Sequence, residues 1–183
     1  MYEGGNKVAI YEFEGKRPVI GSSSFIHPQA VIIGEVEIGE RCYVGAGAVV
    51  RGDYGKIVVG DGSNIQENST VHSEPDTIAI LEENVLIGHA AIVHGPCLIK
   101  RNSTVGMGSI VSSRTEIGEE SLLAAGSVLP PGKTIPPRKV AMGNPARVVR
   151  DMDEYNLTYN QVAVKLYQDL AQRCLSGLKL IEE

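Results

Sequence analysis

Three of the four histidines in this 183-residue chain, His72, His89 and His94, are the side chains best placed to do chemistry. An imidazole titrates near neutrality, so around pH 7 it offers an uncharged nitrogen that can ligate a divalent metal or act as a general base. His72 closes the segment NIQENSTVH (Asn64–His72), and His89 and His94 bracket HAAIVH. Whether the three can act together depends on the elements that carry them.

Those elements follow a six-residue repeat. Aliphatic residues recur at Ile20, Ile26, Ile32, Ile38, Val44 and Val50, resume after a slip at Val59, Ile65 and Val71, and after a second slip run without a break from Leu81 to Ile135. Four residues after each aliphatic lies a second, mostly small position, as at Ala30, Cys42, Ala48, Ser69, Ala91 and Ser109. A helix of 3.6 residues per turn would scatter such a pattern over every face, whereas short strands joined by tight corners keep it on one. Strand alternation turns the aliphatic inward and the next residue outward, and three hexads close one triangular coil. Gly47, Gly62, Asn64, Asn84, Asn102 and Gly108 are expected at corners, where positive φ is tolerated. The fold class predicted is an all-β solenoid, a parallel β-helix.

Phase then becomes geometry. Val50, Val71 and Val93 are three rungs apart and so share one face, which puts Arg51, His72 and His94 in an outward column with neighbours roughly 4.8 Å apart. Two imidazoles at that spacing can converge on one metal ion. His89 follows Ile87 by two residues and belongs to a corner of the preceding face, about 15 Å away along extended chain. A site using all three is therefore expected to be shared between subunits of a three-fold assembly. His27 has no partner in its column. Asp53, Gln66 and Glu67 fall near the same region, and on phase alone they read as interface hydrogen-bonders.

Composition narrows the classes. A net charge of −5 and a pI near 5.4 argue against nucleic acid, and no apolar run approaches the length of a membrane span. Three cysteines without metal-like spacing, two of them at the small inward phase (Cys42 and Cys97), read as packed thiols in a reducing cytoplasm. Residues 1–19 are expected to form a capping strand or hairpin, with Val8, Ile10 and Phe13 alternating. Residues 20–139 form the β-helix, with loops extruded at the slips Arg51–Val58 and His72–Ile80 and an end imposed by Pro130, Pro131, Pro136 and Pro137. Residues 140–183 form an exit segment and a helix packed on the coil through Tyr159, Ala163, Leu166, Leu170 and Cys174, with Gly177 as its C-cap.

RGD at Arg51–Asp53, NIQENSTVH at Asn64–His72, IGHAAIVHG at Ile87–Gly95, the later GNPARVVR and the YQDLA of the closing helix resemble the γ-class carbonic anhydrases, a hexapeptide-repeat family that includes ferripyochelin-binding-like proteins. The resemblance spans roughly Ile10 to Gly177. It implies a left-handed β-helix and a homotrimer in which His72 and His94 of one subunit and His89 of the next bind Zn2+, or Fe2+ or Co2+. The implied reaction is reversible hydration of CO2 to bicarbonate by a metal-bound hydroxide. The family further implies an intersubunit ion pair of Arg51 with Asp53, a Gln66 hydrogen bond to the metal-bound water, Asn64 nearby, and Tyr159 as a pocket wall. Two features depart from the family pattern: Tyr54 follows RGD where prototypes carry glutamate, and the short SEPDTIAI replaces a longer acidic loop with a proton-shuttling glutamate, leaving Glu74 or Asp76 as substitutes. Three alternatives accompany this reading: metal-dependent thioester hydrolysis on the same site, hexapeptide acyl transfer using a lone histidine base, and a trimeric scaffold without turnover.

Overall fold

The computed structural model describes residues 8–181; the N-terminal part of the expected cap, residues 1–7, lies outside them. The chain winds into a left-handed parallel β-helix of about seven turns with one C-terminal helix. Two faces belong to one continuous sheet and the third to a second sheet. The rungs stack as their phase requires: Val50 pairs with Val71 and Val71 with Val93 on one face, Ile65 with Ile87 and Ile87 with Val105 on another. Ile32, Ile65, Leu81, Ile87, Ile99, Ile117 and Leu123 are wholly buried in the resulting column.

The small inward positions carry a second function. Ser24, Ser63, Ser69, Ser109 and Ser121 are buried, and each hydroxyl donates to a backbone carbonyl of the next coil, at Gly39, Glu82, Gly88, Ala124 and Pro136, over 2.6–2.9 Å. A buried hydroxyl left unpaired costs stability, so these bonds are what make serine tolerable inside the prism.

Three expectations are corrected. The first slip extrudes no loop: Val49–Val59 is one eleven-residue strand that bends around a corner, paired along its length with Val31–Ile38. The register shift lies between Gly34 and Val36. A Cβ on Gly34 would stand 2.4 Å from the Gly52 carbonyl oxygen, and one on Gly52 equally close to that of Glu35, so the glycine of RGD is there to let two strands turn in contact. Only the second slip forms a turn, closed by Thr77 N–H and hydroxyl donating to the Glu74 carbonyl. Second, Asn64 is no corner residue but part of the strand Asn64–Ile65, and Asn68 takes the positive φ instead. Third, the prolines do not end the ladder. They sit between rungs, and Lys139–Gly143 adds one more parallel strand before Ala146–Asp151 folds back antiparallel.

At the base, Ala9–Tyr11 pairs in parallel with Val31–Ile33 rather than crossing the opening, and Phe13 and Lys16 close a tight antiparallel turn. The helix, Glu154–Gly177, begins at Asp153, whose carboxylate accepts from the Asn156 N–H. It lies on the second sheet and runs back towards the base, and its packed face is rotated from the expected one. Leu157, Asn160, Val164 and Ala171 are buried, while Tyr159 and Leu166 are exposed. Amides dock it: Asn160 donates to the Asn102 carbonyl, Gln168 to Asn84, and Gln172 to the Ser23 carbonyl. An apolar-periodicity count misses a face held by Asn and Gln. Gly177 keeps helical backbone, and the Leu178 N–H closes the end on the Cys174 carbonyl. No helix among the described residues is long and apolar enough to cross a membrane.

Leu81→Ala opens a cavity in a site that cannot collapse and is expected to lower the unfolding free energy by about 2–5 kcal/mol in urea titration. Burial raises the Cys42 thiol to about 11 and the Cys97 thiol to about 12. Thiol titration of the folded protein near pH 8 should therefore label half-exposed Cys174 first, with Cys42 and Cys97 released only on unfolding.

Candidate functional site

The ladder carries Arg51, His72 and His94 on adjacent strands in direct register. The rings of His72 and His94 lie edge to face with centroids 5.3 Å apart. Asp53, two residues beyond Arg51 on the same strand, reaches back over the column. One carboxylate oxygen pairs with the Arg51 guanidinium and the other lies 3.1 Å from His72 Nε2. The pair implied to join subunits thus also closes within one chain. Burial pushes the Asp53 carboxyl up, but Arg51, His72 and the Tyr54 N–H outweigh it and hold the group below the usual carboxylate range. Burial, then the Arg51 charge, lowers His72 below ordinary imidazole against the pull of Asp53. His72 is accordingly neutral at pH 7, and with ionised Asp53 accepting at Nε2 that nitrogen carries the ring proton and the free lone pair is on Nδ1. Tyr54 stands over the column with its ring 6.1 Å from that of His72.

His89 is held separately, on a corner of the other sheet. Its Nδ1 lies 2.6 Å from one Glu67 oxygen, the other Glu67 oxygen accepts from the Tyr43 hydroxyl at 2.7 Å, and the Tyr167 hydroxyl is 3.4 Å from His89 Nε2. Burial pushes the Glu67 carboxyl up, while the hydrogen bond from Tyr43 and the contact with His89 bring it below its ordinary value. An ionised carboxylate only accepts, so Nδ1 carries the ring proton and Nε2 presents its lone pair outward. Burial raises the Tyr43 and Tyr167 hydroxyls, keeping both protonated as donors. Phase placed Glu67 near the site as a hydrogen-bonder, but Tyr43 and Tyr167 gave no signal: one reads as a rung neighbour and the other as a helix residue.

Gln66 and Asn64 form a buried couple. Gln66 donates to Asn64 Oδ1 at 3.0 Å and accepts from the His89 N–H at 3.2 Å, which leaves the Asn64 amide nitrogen buried without a partner. Gln66 thus grips the His89 backbone. Glu74 is engaged by Arg114 at 2.7 Å, and Asp76 occupies a positive-φ corner. Tyr159 stacks near Tyr155 and lines, with Gln66 and His89, a cleft of about 550 Å³ between sheet and helix. Among the described residues of a single chain, no group of three or more His, Cys, Asp or Glu side chains is arranged to hold a metal ion.

Comparison with known proteins places this architecture. Family models match the chain as the bacterial transferase hexapeptide (six repeats) at residues 17–52 and the hexapeptide repeat of succinyl-transferase at residues 35–73 and 78–113. The carnitine operon protein CaiE of Salmonella agona is 43% identical over 93% of this chain and 86% of its own length, and that of Escherichia coli K12 is 44% identical over 91% and 85%. The chain belongs to the hexapeptide-repeat family that includes CaiE. Within that family, a Bacillus cereus protein provisionally described as an acetyltransferase superposes with a TM-score of 0.92 at 36% identity, covering 95% of this chain and all of that one. A hexapeptide transferase family protein from Anaplasma phagocytophilum does so at 0.86 and 39%, covering 90% and 96%.

If Glu67 sets the His89 tautomer, Glu67→Gln should redistribute the ring proton. Nitrogen-15 spectra of the histidine rings in metal-free protein should show His89 protonated on Nδ1 in the parent and mixed in the variant. An unchanged His89 pattern would remove Glu67 from this role.

Proposed function

We propose that the chain is a metal-dependent enzyme of the carbonic anhydrase type, hydrating CO2 reversibly to bicarbonate at the interfaces of a homotrimer. The observation that carries this reading is the side-by-side pair His72 and His94 on one outward face, with His72 kept neutral, while His89 presents Nε2 from a different corner. The donor set fits a borderline cation such as Zn2+, Fe2+ or Co2+: His72 and His94 of one protomer and His89 of the next would hold it. When bound, such a cation supplies Lewis acidity that lets water ionise near neutral pH. The chain's own residues do the rest. Asp53 orients His72, burial and the Arg51 charge keep it neutral, Glu67 turns the lone pair of His89 outward, and Gln66 anchors the backbone beneath it. With Glu74 tied to Arg114, proton removal lacks an evident carboxylate relay, and turnover is expected to be limited by buffer.

A second reading, acyl transfer, is favoured by the names of its relatives and by the Glu67–His89 pair beside a cleft, where Nε2 would serve as general base.

Metal content of anaerobically purified protein, measured with its oligomer mass, tests the first reading. One equivalent per chain in a trimer is expected, with His94→Ala losing both metal and CO2 hydration and His27→Ala keeping them. A monomer that retains its ion would overturn it, as would filled sites with no hydration above free metal. Tight binding of acetyl-CoA by metal-free protein would instead support acyl transfer.

A further inference from the structure

The cleft beside His89 is far larger than CO2 needs. Its volume of about 550 Å³ compares with about 30 Å³ for one water in the liquid, and it falls in the range of pockets that enclose drug-sized ligands. Its shape follows from the coil. The position after each aliphatic on this face holds Gln66, Gly88, Gly106 and Ala124 in successive turns. A Cβ on Gly88 would lie 2.7 Å from the Met107 nitrogen, and one on Gly106 2.4 Å from the Ala125 nitrogen, so packing of the coils bars side chains along the floor. The result is a smooth trench along the prism axis. Leu86, Thr104 and Leu122 form one wall, and the helix roofs it with Tyr155, Tyr159 and Ala163. Polar groups gather at one end, where Gln66, His89 and Tyr167 meet; beyond them the trench is lined mainly by apolar side chains as far as Ala124 and Met152.

We propose that this trench seats the apolar tail of a carboxylate or acyl compound whose polar head lies at His89. From Gly88 to Ala124 are two coil spacings, roughly 10 Å, which accommodates an extended chain of about six to eight carbons or an aryl group of similar reach. A tail there places the head beside His89 at the Tyr167 hydroxyl, an O–H from which a carboxylate or acyl oxygen can accept. The proposal goes beyond CO2 hydration by giving the cleft a ligand class of its own, and it rests on the proposed function only for His89 standing at the reacting end. The trench itself is complete within one chain.

Calorimetric titration of the full-length protein with acetate, butyrate, hexanoate, octanoate and dodecanoate, with and without loaded Zn2+, tests it. The shared head group cancels, so the slope with chain length reads the trench. Affinity should rise by up to about fourfold per methylene as far as octanoate and then level off, in the metal-free protein as in the loaded one. Ala124→Phe fills the trench from the floor and Ala163→Phe from the roof; each should flatten the slope while leaving metal content unchanged. No dependence on chain length in the parent protein would overturn the proposal, and so would a slope that survives both substitutions. Loss of metal binding with the slope intact would count against the metal reading alone.

Discussion

The stacking of one coil on the next, rung over rung at a fixed register, is the constraint on which the rest of this molecule depends. Val50, Val71 and Val93 share a face because each is packed against the next and their backbones are bonded in a parallel ladder. That one register sets Arg51, His72 and His94 in line, since a residue following an inward aliphatic has no choice but to point out. A slip of a single residue would turn the column inside and the valines outside, an exchange the buried core forbids. The chemistry of the pair His72–His94 is therefore inherited from hydrophobic packing and costs the fold no special device.

His89 needs devices of its own. It stands on a corner, outside the ladder's direct control, with its side chain nearly half exposed. Glu67, one coil below, holds its Nδ1; Tyr43, a coil further down, holds Glu67; and Tyr167 reaches in from the helix. The stacked rings of Phe25 and Tyr43, with Tyr167 tilted against Tyr43, link this polar chain to the apolar contact that seats the helix. The helix thereby does two jobs, covering the second sheet and presenting a hydroxyl to His89. Its polar docking through Asn160, Gln168 and Gln172 uses carbonyls and amides that the corners leave open, which suits a surface made of turns better than a stripe of leucines would.

The same geometry bears on the two functional readings. An imidazole fixed by a carboxylate at Nδ1 serves either as a metal ligand or as a base, and nothing local to His89 separates these roles. The separating feature is the pair across the prism. General base catalysis at His89 leaves His72 and His94 without a part, whereas the proposed metal centre would draw on both. The names carried by similar proteins pull towards acyl transfer, and the trench beside His89, as proposed, would give an acyl group somewhere to lie.

By itself, the sequence determined the prism, its rung phases and the column Arg51–His72–His94, because a six-residue period admits one side-chain direction per position. It also separated His89 from that column. Tertiary structure alone decided the rest. Whether a slip becomes a loop or a longer bent strand depends on two glycines, Gly34 and Gly52, meeting at a corner, which no count of spacing contains. The helix face turned on Asn and Gln finding open carbonyls, and a periodicity of apolar residues is blind to such partners. Tyr43 reaches Glu67 across 24 residues and Tyr167 reaches His89 across 78, contacts that exist only once coil and helix are folded together. Periodic, short-range constraints are written along the chain, whereas non-periodic contacts between distant segments appear only when packing brings them within reach.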